Sequence, residues 1–214
     1  MAEPTWDKSR VEPFSDGVLA IAITLLVLEI RLPEDTRGHL PRALRELWPS
    51  YSAYLRSFLV IGIMWANHHS LFRLIARCDE GLLFTNVVLL ATISFLPFPT
   101  AVLARALRAG AGDDRTAALL LYGGTSVVIA LAYNLVWHYA RLRGLLVPGL
   151  APSVVARMTR GYLVGPVLYA AAMLVAPLSA AASMALWLGL ALFFLRGSPR
   201  PAFTRGAAAS TSGG

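Results

Sequence analysis

The sequence of 214 residues contains one cysteine, Cys78, and few charged side chains. A single cysteine excludes an intrachain disulfide and a metal site built on a pair of cysteines. Charged residues make up 14% of the chain and hydrophobic residues 57%, whereas soluble domains average about 25% charged residues. Together with a mean hydropathy of +0.61, this composition indicates an integral membrane protein.

Motifs that would indicate other classes of protein are also missing. Ser15 has no Gly-x-Ser-x-Gly context, so we do not expect an enzyme. The net charge of +7 is spread between apolar runs, which argues against a nucleic-acid partner. His68 and His69 are adjacent, and adjacent helical side chains point about 100° apart; without a cysteine or carboxylate at ligand spacing, no metal site is predicted. No cofactor is expected.

Six apolar segments predict an all-α membrane protein with six transmembrane helices. Pro97 and Pro99 should bend or end the third helix. The polar connection after the first helix should hold a short surface helix. One transmembrane domain of six helices is expected over residues 1–196. A disordered tail that is rich in Gly, Ser and Ala should follow at 197–214. The predicted helices cover about 14–32, 49–72, 82–103, 116–139, 161–175 and 180–195.

The first predicted helix is unusual because a carboxylate lies at each end of its apolar stretch. The uncharged residues between Asp16 and Glu29 cover about 18 Å of helix, whereas the hydrocarbon core of a bilayer is about 30 Å thick. If the helix spans the membrane, these carboxylates lie near or inside the hydrocarbon region, where contact with lipid is costly. We therefore expect an interior helix rather than one exposed to lipid.

The distribution of basic residues predicts that both termini are cytoplasmic. In that orientation eleven Lys and Arg residues lie on the cytoplasmic side and seven on the other. Several polar side chains of the first, second and fourth helices then lie at one level near the cytoplasmic side. Such a cluster can hold helices together or take part in proton or ion handling. Its main members are Arg10, Ser15, Asp16, Trp65, His68 and Asn134.

The residues Arg10, Phe14, Ser15 and Asp16 form the pattern Arg-x-x-x-Phe-Ser-Asp, which a helix rich in Ile, Thr and Leu follows directly. This pattern resembles the signature of the transmembrane protein 175 family, the lysosomal potassium channel and its prokaryotic relatives. The segment from Trp65 to His69, the run ISFLPFPT and the number of apolar segments are also similar to a prokaryotic member. The resemblance covers about residues 8–196.

The resemblance implies a homotetramer in the cell membrane, with a potassium-permeable pore lined by the first helix of each subunit. In this arrangement Ile21 is the apolar gate, Thr24 forms a ring of hydroxyls near the permeant potassium ion, and Leu28 is a second apolar ring. The sequence has no Thr-Val-Gly-Tyr-Gly filter, so side chains must provide a modest selectivity. From their spacing alone, Ile21 and Leu28 would be packing residues on a helix face.

A transporter of protons or other cations that works by alternating access is the alternative. Transporters usually contain internal repeats and helices that are broken near the middle of the membrane. Gly165 and Pro166 provide one such break, but no second copy of the Phe-Ser-Asp pattern occurs in the sequence.

Overall fold

A computed structural model describes residues 8–33, 38–109 and 112–196, without the side chains of residues 109, 191 and 194–196. The predicted tail at 197–214 lies outside this range. Helices form nearly all of the described part, and no strand occurs in it apart from an isolated bridge between Ile75 and Leu146. The helices are α1 (Lys8–Leu25), α2 (Leu40–Glu46), α3 (Trp48–Phe72), α4 (Glu80–Ser94), α5 (Pro97–Ala109), α6 (Gly112–Leu142), α7 (Pro152–Leu174) and α8 (Ala180–Arg196).

Helix α1 begins six residues before the predicted segment and contains Pro13. It continues as a 3₁₀ helix over Leu26–Glu29. The α-helical part is about 27 Å long and the 3₁₀ turn adds about 8 Å, so the whole element is long enough to cross a hydrocarbon core of about 30 Å. Asp16 therefore lies within the helix rather than at its first turn.

The third predicted segment consists of two helices in the structure. Helix α4 ends at Ser94 and α5 begins at Pro97. Proline has no backbone N–H and clashes with the preceding turn, so α4 cannot continue through this position. The buried side chain of Leu96 occupies the break. The boundaries of α3 and α8 differ from the predicted ones by a single residue.

Helix α7 begins at Pro152, nine residues before the predicted start at residue 161. Proline is favourable at the first position of a helix, where its missing N–H is not needed. The extra turns are held because Val154 and Met158 are buried, with 2% and 6% of their surface exposed. The basic segment expected to be a linker is therefore partly a helical extension packed on the core.

One end of the bundle brings together the start of α1, the end of α3 and the end of α6. Lys8 Nζ donates a hydrogen bond of 3.0 Å to the carbonyl of Ile75. Backbone hydrogen bonds from Ala76 to Leu145 and from Val147 to Leu74 join the two connecting segments. In the predicted orientation this is the cytoplasmic end.

Among the residues that the structure describes, three elements are long and apolar enough to cross a membrane by composition and length. They are Lys8–Glu29, Glu80–Arg108 and Gly112–Leu142. A shorter apolar helix covers Ala180–Leu190. The core between the helices contains large buried side chains from α3, α4 and α6, among them Phe72, Leu89 and Trp137.

Candidate functional site

Helix α1 has one buried and one exposed face. Its buried face packs on α3 and α4, and its residues recur every three or four positions, as expected for one side of a helix. Only 28% of the apolar part of α1 is buried within this chain, compared with 50% for α6. The opposite face of α1 is therefore available for another molecule. The buried face contains Val11, Ser15, Leu19, Ala22 and Leu26.

The three predicted pore residues all lie on the exposed face of α1. Ile21 is 61% exposed and Leu28 is 62% exposed, and Thr24 between them is also exposed. The hydroxyl of Thr24 donates a hydrogen bond of 2.9 Å to the carbonyl of Ile21. Because the hydroxyl proton points back to the helix, the oxygen can act as an acceptor towards the outside.

The 3₁₀ turn changes the exposed face near its end. In a 3₁₀ helix residues i and i+3 lie above one another, which aligns Leu25 with Leu28. Leu25 is 41% exposed and Val27 50% exposed. Leu25, Val27 and Leu28 therefore form one exposed apolar surface at this end of the element.

A chain of buried hydrogen bonds fixes the opposite face of α1. Asn86 on α4 donates from Nδ2 to Ser15 Oγ at 2.9 Å, and Ser15 Oγ donates to the carbonyl of Val11 at 2.9 Å. His68 Nε2 on α3 lies 2.9 Å from Asn86 Oδ1. Since the amide oxygen only accepts, His68 carries its proton on Nε2 in this arrangement. The three side chains are at most 1% exposed.

This chain connects three helices through a single amide group. Burying polar groups is favourable only when they are hydrogen-bonded, and rotating α1 would separate Ser15 from Asn86. The ring of His68 also stacks on Phe72, with centroids 4.4 Å apart. The network therefore sets the rotation of α1, and with it the direction in which Ile21, Thr24 and Leu28 point.

Asp16 is held by a different partner from the one that holds Ser15. Trp65 Nε1 on α3 donates to Asp16 Oδ1 at 2.9 Å, and Asp16 itself is exposed. Phe14 is 57% exposed and Arg10 is also exposed; within the described ranges Arg10 forms no hydrogen bond or ion pair. The structure thus brings Ser15, Asp16, Trp65 and His68 together and leaves Arg10 and Phe14 at the surface of the protein.

Asn134 belongs to a separate contact between α6 and α7. Its Nδ2 donates to the carbonyls of Ala130, at 3.1 Å, and Tyr162. Pro166 lies inside α7 and has no N–H for the carbonyl of Tyr162, four residues earlier. Asn134 supplies that missing donor and does not contact Arg10 or Asp16.

Two residues that position α1 were not in the predicted set. Asn86 is an isolated amide in the apolar helix α4, and that isolation is the signal that could have identified it. Lys8 precedes the Arg-x-x-x-Phe-Ser-Asp pattern and also pairs with Glu12 at 3.1 Å. No group of three or more His, Cys, Asp or Glu residues that could hold a metal occurs in the described part of the chain.

Comparison with known proteins identifies the family of the chain. Residues 10–97 match the family described as the endosomal/lysosomal potassium channel TMEM175. A potassium channel of Streptomyces collinus is 42% identical over 211 residues, which cover 95% of this chain and 98% of that protein. The chain belongs to the TMEM175 family.

The fold agrees with a solved TMEM175 homologue. The crystal structure of a lysosomal potassium-selective channel TMEM175 homologue from Chamaesiphon minutus superposes with a TM-score of 0.79 at 38% identity, covering 90% of this chain and 98% of that one. A vertebrate relative, the endosomal/lysosomal proton channel TMEM175 of Gallus gallus, is 42% identical over 106 residues, or 45% of this chain and 21% of that protein. The chain is therefore similar to the Chamaesiphon minutus homologue over most of its length and to the vertebrate relative over less than half of it.

The region that matches the TMEM175 family model contains most of the site. Residues 10–97 include the exposed face of α1 and the hydrogen-bonded residues Ser15, His68 and Asn86. Asn134 and Pro166 lie outside it. Apart from the contacts of Lys8, the contacts that orient α1 are therefore made within the matched region. The bend in α7 lies outside it.

Proposed function

We propose that this chain is a modestly potassium-selective cation channel of the cell membrane, assembled as a homotetramer of six-helix subunits with both termini in the cytoplasm. In each subunit the exposed face of α1 lines the pore. One observation carries the proposal: Ile21, Thr24 and Leu28 share the face of α1 that the subunit leaves uncovered. The names of the bacterial relatives, which are potassium channels, support it.

In this tetramer Ile21 forms the gate. Four isoleucine side chains around a common axis make a narrow apolar neck, and water withdraws from such a neck. A hydrated cation then cannot pass until the ring widens. Leu28, about 10 Å further along the element, forms a second apolar ring, and the exposed Leu25 and Val27 beside it add apolar surface to this constriction.

Thr24 provides the polar ring between the two apolar rings. Its hydroxyl proton is donated to the carbonyl of Ile21, so four oxygen acceptors face the axis in the tetramer. These oxygens can replace part of the hydration shell of potassium. Because sodium holds its water more tightly, a ring of four neutral oxygens favours potassium, and the preference is modest because there is no filter of backbone carbonyls.

Carboxylates lie on both sides of the proposed neck. Asp16 precedes Ile21 by five residues and Glu29 follows Leu28 directly. Negative charge near a narrow path raises the local concentration of cations. The indole of Trp65 on α3 holds Asp16 in place. Through His68, the same helix also helps to fix the rotation of α1. The sign of the charges fits a path for monovalent cations.

Ion flux from potassium-loaded vesicles that contain the purified protein tests the proposal. Ile21→Asn should raise the flux, and a barrier lower by only about 1.4 kcal/mol corresponds to a tenfold increase. Thr24→Ala should lower the preference for potassium over sodium without stopping the flux. Leu131 is also exposed, at 53%, and lies on α6, which packs mainly on α7, α4 and α5. Leu131→Asn is therefore the matched control and should leave flux and selectivity unchanged.

Two outcomes would contradict the pore assignment. Unchanged flux and selectivity in both α1 variants would remove α1 from the ion path. If the flux through Ile21→Asn instead saturates at low potassium and remains as slow as that of a carrier, the alternating-access transporter is supported. A protein that conducts as a monomer would contradict the tetramer.

A further inference from the structure

The second half of the chain has an unusual charge distribution. No Asp or Glu occurs after Asp114, whereas eight arginines do. Four of them flank the connection between α6 and α7 at the end of the bundle that we assign to the cytoplasm. They are Arg141, Arg143, Arg157 and Arg160. Arg143 is paired with Asp79, but Arg157 and Arg160 make no hydrogen bond or ion pair with any residue that the structure describes.

Arg157 and Arg160 lie on one exposed face of α7. They are three residues apart, a spacing that places two side chains next to each other on a helix, and like charges in this position repel. Both side chains are exposed. The buried residues Val154 and Met158 lie on the other face of the helix, which packs on the core. An anion from outside the subunit would relieve the repulsion between the two arginines.

The same face of α7 continues as an apolar stripe. Residues at positions three or four apart after Arg160 are all exposed. Val164 is 47%, Val167 66% and Leu174 67% exposed, and Ala171 lies between them. From Val164 to Leu174 the stripe is about 15 Å long, which is half of a hydrocarbon core of about 30 Å. Its length therefore matches one leaflet of the membrane.

The depth of the arginines also matches the headgroup region. Trp137 Nε1 donates to Thr159 Oγ1 at 2.9 Å, so the residues around Thr159 lie level with the last turns of α6. Arg160 directly precedes the apolar segment that begins at Gly161, and Arg157 lies about 4.5 Å further out. The headgroup layer on each side of the hydrocarbon core is about 5–7 Å thick. Two positive charges at this depth, above an apolar stripe, are complementary to an anionic phospholipid.

We propose that the exposed face of α7 binds an anionic phospholipid, with its phosphate between Arg157 and Arg160 and an acyl chain along Val164, Val167 and Leu174. The site does not depend on the proposed pore, because α7 packs mainly on α6 and none of these residues lies on α1. Arginine suits the phosphate because its planar group donates two parallel hydrogen bonds, and basic residues near the cytoplasmic leaflet favour anionic lipids.

Binding of phosphatidylglycerol to the purified full-length protein, measured by native mass spectrometry against phosphatidylcholine, tests the proposal. The double variant Arg157→Gln, Arg160→Gln should lose the preference for phosphatidylglycerol by about tenfold or more, since each basic residue near an anionic surface contributes roughly fivefold. The variant Arg157→Lys, Arg160→Lys keeps the charge and should keep most of the preference. The matched control Arg73→Gln, Arg77→Gln removes two exposed arginines from the same end of the bundle and should change it less than about twofold.

Several outcomes would overturn the proposal. An equal loss in the two Gln double variants would mean that only the total charge matters. Displacement of phosphatidylglycerol by inorganic phosphate would indicate a site for a free anion rather than a lipid. Efficient disulfide cross-linking between subunits through Val167→Cys, in a chain whose own Cys78 is buried, would show that a second copy covers this face.

Discussion

Two asparagines in apolar helices, Asn86 and Asn134, form different kinds of hydrogen bonds in this protein. Asn86 uses both ends of its amide and connects α1, α3 and α4 through side chains. Asn134 uses only its NH₂ group, which donates to backbone carbonyls of α6 and α7. The Oδ1 atom of Asn134 is buried and has no hydrogen-bond partner in the described part of the chain.

The comparison shows that a buried amide can either join separate helices or repair one helix. The carbonyl of Tyr162 is free to accept a hydrogen bond from Asn134 because Pro166 has no N–H to donate to it. Asn86, in contrast, is the acceptor for the buried Nε2–H of His68 and the donor to Ser15, whose hydroxyl also donates to the carbonyl of Val11. A buried group left unpaired costs about 1–3 kcal/mol. Loss of Asn86 should therefore affect the orientation of α1, whereas loss of Asn134 should affect only the bend in α7.

The largest effect is expected from Asn86→Leu. The substitution leaves the Nε2–H of His68 without an acceptor and removes the donor to Ser15, so we expect a loss of about 2–4 kcal/mol in stability. Denaturation in detergent measures this loss, and vesicle flux should change as well because α1 is no longer held. Asn134→Leu is the matched control: the same substitution in another apolar helix should leave the flux unchanged. Equal effects of both variants would contradict the distinction.

A smaller effect is expected for the stability of Asn134→Leu. The carbonyl of Tyr162 loses its donor, but the unpaired Oδ1 is removed with it, so the net loss should be about 1 kcal/mol or less. Adding Pro166→Ala restores an N–H at position 166 and should recover this loss, since the helix can then make its own hydrogen bond. If the double variant is less stable than Asn134→Leu alone, Asn134 does not compensate for the proline.

The smallest effect concerns Cys78, which lies in the connection between α3 and α4 and is 1% exposed. Burial raises the pKa of its thiol because the thiolate loses solvation. At pH 8 the folded protein therefore holds less thiolate than an unfolded chain, and a maleimide should label it at least about tenfold more slowly. Labelling should be faster in Asn86→Leu than in Asn134→Leu, because Asn86 lies in α4, which begins two residues after Cys78. Rapid labelling of the wild type would contradict its burial.

Several features of the fold could be predicted from the sequence because they depend on local properties. Long apolar runs gave the membrane-protein class, and the boundaries of α3 differ from the predicted ones by one residue. The proline pair marked the break between α4 and α5. The extension of α7 to Pro152 was not predicted. The stretch before residue 161 is basic, and its buried apolar face consists only of Val154 and Met158, which are four residues apart.

The candidate site could be predicted in part. The Arg-x-x-x-Phe-Ser-Asp pattern indicated Ser15 and Asp16, and polar side chains in α3 indicated Trp65 and His68. The pairing of these residues could not be predicted, since a hydrogen bond depends on the distance and direction between two helices. Asn134 was grouped with Asp16 because both lie near the same end of the membrane, but they contact different helices.

The sequence alone determined that this is a membrane protein of the TMEM175 family. It also determined that the uncharged stretch of the first helix, between Asp16 and Glu29, is too short to span the hydrocarbon core. Composition, the spacing of charges and a local pattern are properties of the chain itself. Only the tertiary structure decided which side of α1 faces the other helices of the chain. That choice follows from the contact of Ser15 with Asn86 across 71 residues of sequence, because the cost of an unpaired buried polar group appears only once the helices are packed together.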